Sequence, residues 1–142
     1  MAILSAQNEA DLKKIFQQLR DPVTLLVFSQ SLEAPELCAQ NEALAREVAA
    51  LSDLITVEVL NPAIDRERAQ AHGVTRVPAM VVVGSRDYGL RFWGVPTGYE
   101  FSNLVDAIVL ASTGAPSLSP ETTTALAGLA ADVDIKVFST PT

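Results

Sequence analysis

The side chain best suited to covalent chemistry occurs once, as Cys38, and the only imidazole is His72. A thiolate attacks disulfides and binds metal ions, so Cys38 is where reactivity would be looked for first. A single cysteine excludes an intramolecular disulfide, and one cysteine with one histidine lacks the spacing of a zinc site, so no metal and no cofactor is expected. Two fates are open to Cys38. It is either a small buried apolar residue on a helix, the commonest fate of a free cysteine, or a monothiol that forms mixed disulfides, which needs exposure and a lowered pKa. His72 stands just before Gly73 and reads as a surface residue at a helix end, where positive charge is favourable. Trp93, with Phe92 and Tyr99 near it, reads as packing.

The composition narrows the function classes. At 142 residues, nearly half of them hydrophobic, the chain can bury the core of one ordinary domain, with room for the start of another. A net charge of −7 and a pI near 4.5 argue against a nucleic-acid partner, because phosphate binding draws on clustered Lys and Arg. Lys13-Lys14 and Arg20 share their segment with Glu9 and Asp11, the pattern of a solvated helix face. No apolar run approaches the ~20 residues of a membrane span, and Met1-Ala2-Ile3-Leu4 is too short and uncharged for a signal peptide. The chain is therefore read as cytoplasmic, with no membrane association.

The elements that must position Cys38 follow from periodicity. Asn8 and Asp11 suggest a helix cap, after which Leu12, Ile15, Phe16 and Leu19 share one face of a helix ending near Arg20. Beyond Pro22, the run from Val23 to Phe28 is apolar at almost every position, as in a strand buried on both faces. Residues 36–51 form a helix with a Leu37, Leu44, Val48 and Leu51 stripe. The β-branched run 55–60 is a strand, and 64–71 is a short charged helix stopped by Gly73. Residues 79–83 and 88–93, around a polar turn, make a β-hairpin. Glu100 to Leu110 closes the unit as an amphipathic helix. A helix followed by βαβα and ββα is the element order of the α/β thioredoxin fold, with a mixed central sheet. That fold places a cis-proline where this chain has Val77-Pro78. There the residue before the proline can offer its backbone N–H and C=O to an extended peptide, so Val77 and Pro78 are the candidate substrate-binding residues; their other role is to turn the chain into the strand.

The segment after Gly114 repeats the beginning of the chain. Ser119-Pro120-Glu121 has the chemistry of a helix start. Val133 to Ser139 matches Val23 to Ser29 at four of seven positions, with a constant offset of 110, and at that offset Phe16 falls on Leu126 and Leu19 on Leu129. Residues 1–114 are thus expected to be one thioredoxin-like unit, and 115–142 the opening helix and strand of a second, truncated before any active-site motif.

Three segments carry a family resemblance: Gly73-Val74-Thr75-Arg76-Val77-Pro78-Ala79, the glycine-rich stretch from Gly89 through Trp93, Gly94, Pro96 and Gly98 to Glu100-Phe101, and the ending Val137 to Thr142. Together they resemble the N-terminal unit of the two-unit, glutaredoxin-like protein disulfide oxidoreductases, built from two consecutive thioredoxin folds. The N-terminal module of the flavoprotein reductases that serve bacterial peroxiredoxins is similar. In that family a Cys-x-x-Cys motif follows the ending at once, and this chain does not contain it. A gapless count back from Leu51 puts Cys38 at the second-cysteine position of the first unit and Pro35 at the first. The resemblance therefore implies a resolving cysteine without the attacking one.

Two function classes follow. One is a redox-inactive scaffold or docking unit of a disulfide oxidoreductase system. The other is an active thiol-disulfide oxidoreductase in cell redox homeostasis, which requires the absent C-terminal half or a reactive Cys38. The partners implied are protein thiols or a redox partner protein, and a homodimer through the C-terminal segment is expected.

Overall fold

The computed structural model describes residues 2–140, so Met1, Pro141 and Thr142 of the segments above lie outside the described residues. The first helix, α1 (Ala6–Ile15), is capped by Ser5, whose Oγ accepts the Asn8 N–H at 3.1 Å. The cap expected at Asn8 thus lies three residues earlier, and Asn8 supplies the donor instead. A 3-10 turn over Phe16–Gln18 ends the helix. Leu12, Phe16 and Leu19 are buried, while Ile15 has rotated out of the apolar face.

Strand β1 (Val23–Phe28) is followed by α2 (Pro35–Ala49), β2 (Ile55–Leu60), α3 (Arg66–Ala71), β3 (Ala79–Val83), β4 (Asp87–Trp93) and α4 (Glu100–Thr113). The four-stranded sheet has the order β2-β1-β3-β4. β1 and β2 run parallel, in register from Val23↔Ile55 to Phe28↔Leu60, whereas β1–β3 and β3–β4 are antiparallel. The mixed sheet expected from the element order is therefore present.

Side chains alternate across a strand, and β1 shows why its run is nearly all apolar. Val23, Leu25 and Val27 join Leu12, Phe16, Leu44, Val48, Leu104 and Ile108 in one cluster, while Leu26 and Phe28 join Cys38, Ala69, Val74 and Val77 in another. The first cluster gathers α1, α2 and α4. The second is covered by Cys38 at the start of α2, Ala69 on the short α3, and Val74 and Val77 of the segment leading to β3. Leu37, expected on the α2 stripe, is 49% exposed, and Leu51 lies beyond the helix, half-buried. α3 begins two residues later than the periodicity suggests, because Asn61 accepts the Ala63 N–H and Asp65 accepts the Asn61 N–H, which closes a turn first.

Polar groups fix the packing of these layers. Ser112 on α4 is buried, accepts the Arg20 and Asp21 N–H groups at 2.9 and 3.1 Å, and donates to the Asp21 carbonyl at 2.7 Å. Glu47 on α2 accepts the N–H groups of Ile3 and Leu4. At the β3–β4 turn, a Cβ on Gly84 would lie 1.9 Å from the Ala111 carbonyl oxygen, so only glycine lets the hairpin approach α4 this closely.

The segment beyond Gly114 is different. Helix α5 (Pro120–Ala127) forms as its start chemistry predicts, with Ser119 accepting the Thr122 N–H and Pro120 in the first turn. The strand expected over Val133–Ser139 does not form: residues 132–140 carry neither helix nor strand, and every described residue from Gly114 onward is exposed. A strand exists only where neighbouring backbone satisfies its N–H and C=O groups, and no strand flanks this segment among the described residues.

Candidate functional site

The C-terminal ends of β1 and β2 open into a crevice, the usual ligand position of an open α/β sheet. Its cavity, of about 350 Å³, is lined by Gln30 and Glu33 after β1, Pro62 and Arg66 after β2, and the chain from Gly73 to Val77. One wall carries the start of α2. Ala34 precedes that helix with a φ of 46°, a left-handed conformation that costs an alanine roughly 1–2 kcal/mol, and no side chain caps the helix. Pro35 is exposed at the first helical position, where its missing N–H is no loss.

Cys38 lies one turn further in and is only 2% exposed. Its Sγ donates weakly to the Glu33 carbonyl at 3.4 Å, and it packs with Leu26, Phe28 and Val77. A thiol so enclosed meets neither solvent nor a disulfide. The position that the fold exposes, 35, holds a residue with no nucleophilic atom.

The opposite wall is the segment entering β3. The Val77-Pro78 peptide bond is cis, and both residues are buried. The Pro78 carbonyl accepts the Gly94 N–H at 2.9 Å, and the Ala79 carbonyl accepts Asn41 Nδ2 at 3.3 Å. Asn41 is fully buried, and its Oδ1 has no partner among the described residues. The N–H groups of Thr75, Arg76 and Val77 donate to no acceptor among the described residues. Cys38 and Val77, 39 residues apart in sequence, are thereby brought into one cluster.

A polar latch supports that segment. Arg91 Nη1 and Nη2 grip Asp87 at 2.8 and 2.6 Å, its Nε donates to the His72 carbonyl at 2.8 Å, and His72 Nδ1 lies 2.9 Å from Asp87 Oδ2. Gly89 makes this possible. Its φ of 84° belongs to the irregularity between Val82 and Val83 in the β3–β4 pairing, and its N–H also donates to Asp87. The Arg91 guanidinium, helped by the Gly89 N–H and His72, holds the Asp87 carboxyl far below its ordinary value. His72, read from sequence as a surface residue, does sit at the end of α3, but it is half-buried and its ring lies against Phe28.

Sequence reasoning missed the latch, because its members are separated by 4 to 19 residues and only the strand irregularity brings them together. It also missed Arg76, whose guanidinium stacks over Trp93 at 5.1 Å. Trp93, read as packing, is 37% exposed and touches the crevice only through Arg76. The neighbouring Pro-Gly-rich loop was the available signal. Among the described residues no helix is long and apolar enough to cross a membrane.

No protein-family model matches the chain, and no curated protein does. Solved structures do. The alkylhydroperoxide reductase AhpF of Enterococcus faecalis is similar with a TM-score of 0.77 at 23% identity, over 89% of this chain and 61% of that one. A separately solved N-terminal domain of AhpF from the same organism gives 0.73 at 24% identity, over 85% and 58%. A protein disulfide oxidoreductase from Aeropyrum pernix gives 0.76 at 24% identity, over 88% and 55%. The chain thus spans little more than half the length of these structures. At such identities the likeness establishes the fold, and the fold is that of thioredoxin.

Proposed function

We propose that this chain is a redox-inactive docking unit of a disulfide oxidoreductase system, holding an extended segment of a partner protein against the Thr75–Pro78 edge while another centre exchanges the disulfide. The observation that carries this reading is an exposed Pro35 and an enclosed Cys38 at the start of α2, the positions to which the resemblance assigns the attacking and the resolving cysteine. The free amides of Thr75, Arg76 and Val77 support the docking half of it. The reading sets the protein in the cytoplasm, where unpaired cysteines are ordinary. It includes self-association through the exposed Val133, Ile135 and Val137, whose unpaired backbone can add to a sheet edge of a second copy.

The test is intact-mass measurement of the folded chain after treatment with glutathione disulfide, alongside an insulin-reduction assay. A reactive thiolate would displace one glutathione and gain the other as an adduct. No adduct and no turnover are expected. Turnover with a dithiol reductant, abolished by Cys38→Ser, would sink the reading. The Pro35→Cys variant checks the assignment of positions, because it should form a disulfide between residues 35 and 38.

A further inference from the structure

The crevice has a charge opposite to that of its protein. The chain carries 17 carboxylate and 10 Lys and Arg side chains, yet the crevice is lined by two arginines, Arg66 and Arg76, against one carboxylate, Glu33. That carboxylate is already engaged, since Gln30 Nε2 donates to its Oε2 at 2.8 Å. Neither arginine has a carboxylate within ion-pair distance among the described residues, whereas their neighbours Arg68 and Arg91 are committed to Glu58 and Asp87. Arg66 spends its Nε on the Ala63 carbonyl, and Arg76 rests on the Trp93 ring. Both guanidinium groups keep most of their five donors free.

A cation kept on an aromatic face is held in place without being neutralised. The same crevice is lined by the row of unpaired amides from Thr75 to Val77, with Arg76 in its middle, and unpaired amides are what an added strand requires. We infer that the ligand of this crevice is an acidic peptide segment in extended conformation, its backbone on the Thr75–Val77 edge and its Glu or Asp side chains on Arg66 and Arg76. This rests on the docking reading above and adds the chemistry of the partner. The net negative charge elsewhere on the chain turns other acidic surfaces away, so the preference is confined to this crevice.

Trp93 is the only tryptophan in the sequence, so its fluorescence reports on the Arg76 guanidinium that rests on it. The intact chain is titrated with nine-residue peptides alternating threonine with glutamate, serine or lysine, and the amide shifts of Thr75, Arg76 and Val77 are followed by NMR. The Thr/Glu peptide is expected to bind about five-fold or more tighter than Thr/Ser, as two partly exposed ion pairs allow. Thr/Lys should bind weakest, and the Thr/Glu advantage should shrink as salt is raised. Arg66→Gln and Arg76→Gln should each reduce the Thr/Glu advantage over Thr/Ser. Equal binding of Thr/Glu and Thr/Ser at these amides would overturn the acidic preference while leaving docking intact. No saturable change with any of the three peptides would overturn both.

Discussion

Val23–Ser29 and Val133–Ser139 are identical at four of seven positions and have opposite fates. In β1, Val23, Val27 and Phe28 are fully buried between β2 and β3, whereas the matching Val133, Val137 and Phe138 are exposed, the last at 91%. Hydrophobic pattern is shared on one face only, Val23, Leu25 and Val27 against Val133, Ile135 and Val137, whereas Thr24 and Leu26 are answered by the charged Asp134 and Lys136. The surroundings differ as well: β1 has hydrogen-bonding neighbours on both edges and helices on both faces, and the later segment has no such partner among the described residues.

That contrast can be broken most forcefully by placing a charge at equivalent positions. Val27→Asp would bury an unpaired carboxylate, at a cost of several kcal/mol, a large part of the ~5–15 kcal/mol that holds a domain together. Val137→Asp should leave the urea midpoint of the main transition unchanged. Comparable destabilisation by both would show that the tail is buried in solution.

A smaller effect is expected from adding a methyl group in each region. Gly84→Ala meets the Ala111 carbonyl and should cost roughly 1–3 kcal/mol or more, the range of overpacking. Gly128 has a φ of −85° and no contact closer than 3.5 Å, so Gly128→Ala should be neutral or slightly stabilising. Thermal unfolding monitored by circular dichroism separates the two, and a harmless Gly84→Ala would mean that α4 does not pack against the hairpin as described.

Acid should distinguish the regions next. A carboxyl whose folded pKa is depressed contributes stability above its unfolded value, and loses it as pH falls toward the folded pKa. For Asp87 the ordinary value is 3.8 and the latch lowers it. Asp87→Asn should therefore destabilise the protein at neutral pH, with the deficit narrowing only below about pH 4. Asp134→Asn removes a solvent-exposed pair with Lys136, worth ~0–1 kcal/mol at most, and should show no pH-dependent deficit. A pH-independent Asp87→Asn effect would deny the latch its electrostatic role.

The mildest intervention is removal of the tail. At concentrations too low for self-association, a chain cut after Gly114 should unfold at the same temperature as the full chain within measurement error, because α5 and the residues beyond it bury nothing in the sheet unit. Sedimentation at matched concentration should nevertheless give a dimer for the full chain and a monomer for the shortened one. Two monomers would remove self-association from the proposed function.

Much of this architecture was legible in the residues. The six-residue strands β1 and β2, the helix stop at Gly73, the hairpin and the α5 cap all follow from local chemistry that acts within a few residues, whereas the first helix ends at Ile15, well short of Pro22. Local reading failed where a contact crosses the chain. The α1 cap was misplaced by three residues because both Ser5 and Asn8 are good capping residues, and only the backbone geometry chose between them. Leu37 is apolar, but the α2 face that meets the sheet passes through Leu44 and Val48 and leaves Leu37 outside.

The candidate site divides in the same way. Sequence alone established that this chain has one thiol, no nucleophile at position 35 and a proline ahead of an apolar strand, because these are matters of residue identity and order. Whether Cys38 is open or sealed, that Arg91 and Asp87 brace the segment ahead of Pro78, that Arg76 lies on Trp93, and that one of two matching segments is a strand were decided by the tertiary structure. Each of those depends on which groups at long sequence separation come within a few ångströms, and burial and hydrogen-bond satisfaction exist only once the chain has folded.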